Sequence, residues 1–364
     1  MFTDNEITQY SRHFTLPQVG RKGQLALKNS RVLCIGAGGL GAPILLYLAA
    51  AGVGTIGIVD DDVVDLSNLQ RQVLYTQEDI GKPKAEAARN RLKGLNPGID
   101  VTPYVQRLTK ENALKIIANY DIVVDGTDNF ASRYLINDAC FTLNKPNVYG
   151  SIFQFEGQCS VFLRDKGPCY RCLFPDVPND FAPNCAEAGV LGVLPGLLGC
   201  IQANEVMKLI LDIGEPLIGK LLTLEALSMD VQKFEIEVNP SCELCHHQKE
   251  FMEMDYDELE FCAVGQLNLS INLAELRTWE KNKERLFLLD VRDLSEHQEF
   301  NIGGVCIPVN QLRAKLSDLD PASKIIVYCD VGEISKTAVS VLRNAGFSQS
   351  FSLSGGILAL QDDM

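Results

Sequence analysis

Apolar positions in this chain fall first into short unbroken runs. Arg31–Ile35 (RVLCI) and Thr55–Val59 (TIGIV) lack the alternation of a half-exposed strand, as expected for strands buried on both faces of a parallel sheet. Between them, residues 36–41 form a glycine turn (GAGGLG) and residues 40–51 an apolar helical run, so 31–59 predicts a β-α-β unit ending at Asp60. Another apolar strand, 122–124, also runs into acids and a turn (Asp125, Gly126, Thr127, Asp128), and 158–163 and 221–224 read as later strands. Past Cys245 the pattern breaks: residues 248–260 are strongly acidic and poor in β-branched side chains, which predicts a linker. From 267 onward strand and helix alternate again, with strands at 286–289, Lys324–Tyr328 and Ser350–Leu353 and a helix at 336–344. No internal repeat or low-complexity tract is visible. The expected organisation is a first domain over 1–247, an acidic linker over 248–266 and a smaller domain over 267–364.

Composition and charge narrow the partners. With 46% hydrophobic and 22% charged residues, the chain has enough apolar material for two cores. The formal net charge of -14 repels phosphate backbones and argues against nucleic acid as a partner. Residues 1–13 are polar and carry Asp4 and Glu6, with neither the basic nor the apolar segment of a signal peptide. The longest apolar stretches, 43–54 and 189–201, are broken by Gly or Pro and are too short to span a bilayer. A cytoplasmic location with no membrane partner is therefore the expectation. In that reducing compartment the 12 cysteines point to metal binding or thiol chemistry rather than structural disulfides.

Gly36, Gly38, Gly39 and Gly41 follow a strand and open a helix, the arrangement in which backbone and helix N-terminus approach phosphate. Asp60 ends the next strand, where an acid can accept hydrogen bonds from ribose hydroxyls. This much fits any adenine nucleotide, and a NAD-dependent oxidoreductase is the alternative it leaves open. Two cations beyond the ribose acid, Arg71 (SNLQRQ) and Lys84 (GKPK), shift the reading to ATP. A redox site needs no extra cations near its phosphates, whereas nucleotidyl transfer moves negative charge onto a leaving pyrophosphate. Asp128, at the carboxyl end of a strand, suits Mg2+.

The cysteines divide by context. Cys169-x-x-Cys172 and Cys242-x-x-Cys245 are two knuckles whose thiolates suit a closed tetrahedral zinc site joining distant segments; a redox pair or four buried thiols are the alternatives. Cys185 lies in a loop-like stretch, 179–189, where an exposed thiol can attack an activated carboxyl. Cys329 ends a strand just before a helix, where loop N–H groups and the helix dipole could cradle a persulfide. Cys34, Cys140, Cys159, Cys200, Cys262 and Cys306 have apolar surroundings and read as packing residues.

In this order and spacing, the glycine turn, Asp60, Ser67-Asn68-Leu69-Gln70-Arg71-Gln72, Gly81-Lys82-Pro83-Lys84 and Thr127-Asp128-Asn129 resemble the MoeB/ThiF adenylyltransferases, bacterial relatives of ubiquitin-activating enzymes, over residues 1–247. The resemblance implies an α/β fold with a Rossmann-like, mostly parallel sheet and helices on both faces. It implies Asp60 on the ribose of ATP, Asn68, Arg71 and Lys84 on the phosphates, Asp128 on Mg2+, and zinc at the four cysteines, remote from the chemistry. It also implies a homodimer in which Arg12 of each subunit reaches its partner's ATP site. In relatives the cysteine of a Cys-x-Glu-Ala-Gly segment, matched here at Cys185 to Gly189, bonds to the carrier protein. The implied substrate is the C-terminal glycine of a small ubiquitin-like sulfur carrier ending in Gly-Gly, of the kind used in making molybdenum cofactor and thiamine.

Leu289-Asp290-Val291-Arg292, Ile302-Gly303-Gly304-Val305, Ile307-Pro308 and Gly355-Gly356-Ile357 resemble the rhodanese domain, a small α/β fold, over residues 267–360. This implies a persulfide on Cys329. Asp330 and Ile334 stand where many rhodaneses carry arginines, and Asn301 and Leu360 replace a usual histidine and tryptophan. Fewer loop cations weaken capture of anionic thiosulfate and point to a cysteine desulfurase persulfide as sulfur donor. A non-catalytic docking rhodanese is the alternative. The expected reaction is adenylation of the carrier's C-terminal glycine followed by sulfur transfer to give a thiocarboxylate.

Overall fold

The structure, a computed structural model, describes residues 2–175, 189–246, 250–253, 256, 270–282, 285–321 and 323–361. Cys185 and Cys262 lie outside the described residues. Two compact units result, one of residues up to 175 and from 190 to 256, the other of those from 270 on.

In the first unit, strands β1 (Arg31–Ile35), β2 (Thr55–Val59), β3 (Asp100–Tyr104), β4 (Ile122–Asp125), β5 (Asn147–Phe153), β6 (Glu156–Phe162), β7 (Lys220–Glu225) and β8 (Asp230–Glu235) form one sheet in the order 3-2-1-4-5-6-7-8. Pairing is parallel from β3 through β5 and antiparallel from β5 to β8. The sheet is thus the α/β arrangement read from the sequence, with an antiparallel extension that the apolar runs did not disclose. β1, β2 and β4 are buried almost throughout, which explains their unbroken apolar sequences. The edge strand β8 (DVQKFE) is exposed at every position and offered no apolar signal. β3, at the other edge, carries Pro103 and alternates only weakly.

Side chains alternate between the two faces of the sheet. Leu33, Ile35 and Val123 join Ile116, Ile117, Leu135 and Ile136 of helices Lys110–Ile117 and Phe130–Thr142 in one core. Helix Gly41–Ala51 packs along helix Val193–Leu211, which also lies on β5 and β6. The second of these corrects an expectation: the apolar run near 189–201 continues to Leu211, and by length and composition alone the helix could cross a membrane. Its buried Gln202, whose Nε2 donates to Asp125 O and Val148 O, and the Glu205–Lys208 ion pair at 2.5 Å mark it as a core helix. The acidic stretch expected as linker also contributes to the core. Phe251 and Tyr256 are buried, and the Tyr256 hydroxyl donates to Asp138 Oδ2 at 2.7 Å.

The second unit holds β9 (Ser270–Ile271), β10 (Leu286–Asp290), β11 (Val305–Cys306), β12 (Lys324–Tyr328) and β13 (Ser350–Leu353), parallel in the order 11-10-12-13-9. The predicted helix at 336–344 begins three residues earlier, as Glu333–Asn344, behind a glycine with φ of 91°. A left-handed Gly332 lets the chain turn from β12 straight into the helix.

Candidate functional site

Strand order reverses between β1 and β4, since the chain steps from β1 out to β2 and β3 and then returns to β4. In an open parallel sheet the loops that leave neighbouring strands at such a point diverge and leave a crevice at their carboxyl ends. Here those loops are the glycine turn after Ile35 and the turn after Asp125. They are pressed together at two glycines. Gly36 has φ of 88°, a Cβ on it would meet the Gly126 carbonyl oxygen at 2.7 Å, and the Gly126 N–H donates to Ile35 O at 2.8 Å. Gly41, which opens the helix, abuts the Gly36 carbonyl and has no room for a side chain.

The residues expected to handle nucleotide gather at this crevice. Asp60 at the end of β2 accepts the Ala37 N–H on Oδ2 at 2.7 Å and the Asp62 N–H on Oδ1 at 2.9 Å, so the acid also shapes the glycine turn. Burial pushes its carboxyl up, and the Ala37 N–H and the nearby Lys84 ammonium oppose this in part. Lys84, the first residue of helix Lys84–Leu95, is buried, and its Nζ donates to Asp62 Oδ2 at 2.8 Å. Arg71 lays its stem against the glycine turn, with Cγ 3.6 Å from where a Cβ on Gly39 would sit, and its Nη1 donates to Ser67 O at 3.2 Å. Asn68 ends a short 3-10 turn, Leu66–Asn68, and accepts the Asp65 N–H on its Oδ1 at 3.3 Å. Asp128 is exposed on the loop after β4.

Several residues that pattern reading passed over support this set. The Tyr75 hydroxyl reaches Ala37 O at 2.9 Å and Lys84 O at 3.3 Å, tying the glycine turn to the lysine. Gln72 is buried beside Gly38, with an Oε1 that has no hydrogen-bond partner among the described residues. Asp62 was invisible as one acid among several in Asp60-Asp61-Asp62. Gln72 was quotable only as part of SNLQRQ; a polar residue hidden within an apolar fold is the signal that marks it.

Arg12 is held elsewhere in its own chain. Tyr10 packs on Gly52 and accepts a bond from Asn96 at 2.8 Å, while His13 bonds Gln24 at 2.7 Å and Gln24 donates to Ala51 O at 2.8 Å. Ala51 and Gly52 close the helix whose other end is the glycine turn. Eleven helical residues separate the two ends by about 16 Å, beyond the reach of an arginine side chain.

Away from the crevice, the sulfurs of Cys169, Cys172, Cys242 and Cys245 all lie within 4.8 Å of one another, with separations of 3.8 Å for Cys169–Cys172, 3.6 Å for Cys169–Cys242 and 3.5 Å for Cys172–Cys245. Tetrahedral zinc with Zn–S bonds of about 2.3 Å would set its sulfurs about 3.8 Å apart, so the cluster fits a metal ion of that size. Arg171, inside the first knuckle, grips buried Asp138 through Nε and Nη2 at 2.9 and 2.7 Å. Cys34, Cys140 and Cys159 are fully buried, and burial pushes their thiols up, as fits packing residues. A cavity of about 590 Å³ opens at the opposite end of the sheet, by Ser30, Asp121 and Lys208; none of the residues discussed for nucleotide lines it.

In the second unit Cys329 follows β12, and its Sγ accepts the Gly332 N–H at 3.2 Å and lies 3.5 Å from Ser335 Oγ. The turn Gly355-Gly356-Ile357 closes on it: the Ile357 N–H donates to Cys329 O at 2.8 Å, and Gly356 has no space for a Cβ against Asp330. Asp330 is turned toward Arg292, whose Nη1 donates to it at 2.9 Å. Arg292 in turn pairs with buried Asp290, which also bonds His297 Nδ1 at 2.8 Å. Asn301 closes a turn by accepting the Gly303 N–H and donating to His297 O.

Comparison with known proteins gives a family for each unit. Residues 10–244 match the ThiF family and residues 272–363 the rhodanese-like domain. The chain is 44% identical to the probable adenylyltransferase/sulfurtransferase MoeZ of Mycobacterium tuberculosis, over 99% of this chain and 95% of that one. It is 50% identical to the sulfur carrier protein adenylyltransferase of Thermus thermophilus, over 72% of this chain and 99% of that one. Among solved structures, E. coli MccB shares the fold, with a TM-score of 0.59 at 24% identity over 68% of this chain and 74% of that one.

Proposed function

The chain belongs to the ThiF family and carries a rhodanese-like domain behind its family core, and from that premise we propose that it adenylates the C-terminal glycine of a small ubiquitin-like sulfur carrier and then helps convert that end to a thiocarboxylate. One juxtaposition carries the reading. A single chain joins a crevice holding Asp60, Arg71, Lys84 and Asp128 around a glycine turn to a second unit in which a buried cysteine, Cys329, lies between a strand and the loop that opens a helix.

The carrier's carboxylate oxygen attacks the α-phosphorus of ATP, and the bond to pyrophosphate breaks. No general base is required, because the nucleophile is already ionised. Charge on the leaving group is met by Arg71 and Lys84 and, in a homodimer, by Arg12 of the neighbouring copy. Asp60 holds the ribose, and Asn68 binds the phosphates. Asp128 would hold Mg2+, which when bound neutralises phosphate charge. The remaining contribution of the chain is positioning.

Sulfur transfer follows on Cys329. The terminal sulfur of its persulfide attacks the acyl-adenylate carbonyl, AMP leaves, and an acyl disulfide joins carrier to Cys329. A second thiol, for which Cys185 is the candidate, attacks the Cys329 sulfur. The thiocarboxylate leaves, and a disulfide remains that an external dithiol must reduce. A cysteine desulfurase persulfide recharges Cys329, since Asp330 puts an acid rather than an arginine at the loop. The four knuckle cysteines would hold zinc in a structural role. In domain terms, 1–247 is the adenylyltransferase with its zinc site and 267–364 the sulfurtransferase, and the stretch between them packs Phe251 and Tyr256 into the first core.

The test is a full reaction with a Gly-Gly carrier, ATP and a desulfurase, followed by mass spectrometry of the carrier. Replacement of one terminal oxygen by sulfur in the wild type, and its loss in Cys329→Ala, supports the reading. A thiocarboxylate formed equally by Cys329→Ala would leave the second unit as a docking module only.

A further inference from the structure

Asp128 is exposed on a loop, so a carboxylate that must meet a metal ion with a narrow tolerance of geometry needs that loop held from behind. The grip is buried. Asp125, fully buried at the end of β4, accepts both the Thr127 N–H at 2.9 Å and the Thr127 hydroxyl at 2.6 Å on its Oδ1. From the other side Arg133 Nη2 donates to the Thr127 carbonyl at 3.3 Å. That guanidinium is itself fixed over the rings of Phe130 and Tyr149, at 5.4 and 5.9 Å. The backbone of Asp125 is anchored in turn, because Gln202 Nε2 donates to its carbonyl at 2.8 Å. Thr127 is thereby held at its N–H, its hydroxyl and its carbonyl, and the next residue is Asp128.

The cost of this arrangement points away from a purely structural role. Asp125 Oδ2 is buried with no hydrogen-bond partner among the described residues, and a buried carboxylate without full satisfaction is expensive. A turn needed only for folding is met as well by an asparagine on the surface.

We propose that Asp125, acting through Thr127, is the positioning residue that aims Asp128 at the metal of the Mg-ATP substrate. The proposal rests on the reading of Asp128 as the metal-binding acid, and its test separates the two.

The experiment uses the full-length chain and measures carrier-dependent ATP–pyrophosphate exchange across a Mg2+ titration at saturating ATP. Wild type is compared with Thr127→Val, Thr127→Ser and Asp128→Asn. Thr127→Val keeps the shape of the side chain and removes the hydroxyl; the Mg2+ concentration for half-maximal rate should rise about tenfold, the size expected when one charge-assisted hydrogen bond is lost. Thr127→Ser keeps the hydroxyl and should stay within about twofold of wild type on the same argument. Asp128→Asn should shift the requirement further or abolish exchange. If Thr127→Val does not fold, Thr127→Ala removes the same hydroxyl and carries the same expectation. A shift in Asp128→Asn with none in the Thr127 variants overturns the positioning role alone. A loss of rate in Thr127→Val that is uniform at every Mg2+ concentration also overturns it. An unshifted Asp128→Asn removes the metal reading and the proposal together.

Discussion

Asp60 and Asp290 are both acids at strand ends, and their surroundings move them in opposite directions. Burial pushes the Asp60 carboxyl up, against the Ala37 N–H and Lys84. It is the ionised carboxylate that accepts best from ribose hydroxyls. ATP affinity should therefore weaken on acidification while an ordinary surface carboxylate is still ionised. Calorimetric titration of ATP at falling pH checks this, with Asp60→Asn expected to be weaker at neutral pH and indifferent to pH in the same window. Asp290 is also pushed up by burial, but the bonds from Arg292 and His297 together outweigh it and hold the carboxyl below its usual range. A folded value below the unfolded one contributes stability that is present above the unfolded pKa and lost as pH falls through the folded value. Asp290→Asn removes the charged partner of Arg292 Nε and Nη2 and leaves Asp330 as its remaining acid, a loss of about 1.5–3 kcal/mol at neutral pH. The gap in unfolding free energy between wild type and variant should narrow as pH drops below the ordinary carboxylate range. A gap independent of pH would contradict the ion-pair account.

Elements explain which parts of the site could be read in advance. The glycine turn is legible because Gly36 and Gly41 leave no room for a side chain. Gly36 combines a positive φ with the Gly126 carbonyl in its path, so Gly36→Ala should strain the join of β1 and β4 and cost ATP binding. Tightness of this kind leaves a mark in sequence. Support at long range leaves none: Gln202 meets Asp125 and Tyr256 meets Asp138 across large separations, and no local pattern ties them. The same limit explains Tyr256, which acidic composition assigned to a linker although its ring is buried. That residue also closes a network beside the four-cysteine cluster. Arg171 lies between Cys169 and Cys172, and its partner Asp138 also receives the Tyr256 hydroxyl. Arg171→Ala strands a buried carboxylate and should cost about 3–5 kcal/mol. Removal of metal by a chelator should lower the melting temperature, and calorimetry on the full chain checks both; a chelated protein with unchanged melting would argue against a structural ion.

At the scale of the whole molecule, the placement of the N-terminal segment makes a prediction about assembly. The segment that carries Arg12 is anchored at the far end of helix Gly41–Ala51, out of reach of its own chain's crevice. Arg12→Ala and Asp128→Ala should each be inactive alone. Mixed one to one and allowed to exchange subunits, they should recover about a quarter of wild-type activity, since half of the dimers are mixed and each mixed dimer rebuilds one of its two sites. No recovery after proven subunit exchange would show that Arg12 does not act in trans. The domain sequence itself was legible because each unit repeats the strand-helix alternation of a parallel sheet, whereas the polar β8 and the antiparallel extension carry no such periodicity.

The central claim is that the crevice between β1 and β4 joins ATP to a carrier's C-terminal carboxylate. Exchange of labelled pyrophosphate into ATP measures this step directly. Exchange should appear only when a carrier ending in Gly-Gly is present, persist at the wild-type rate in Cys329→Ala and vanish in Asp128→Ala. Exchange that needs no carrier, or that survives Asp128→Ala, would contradict the account.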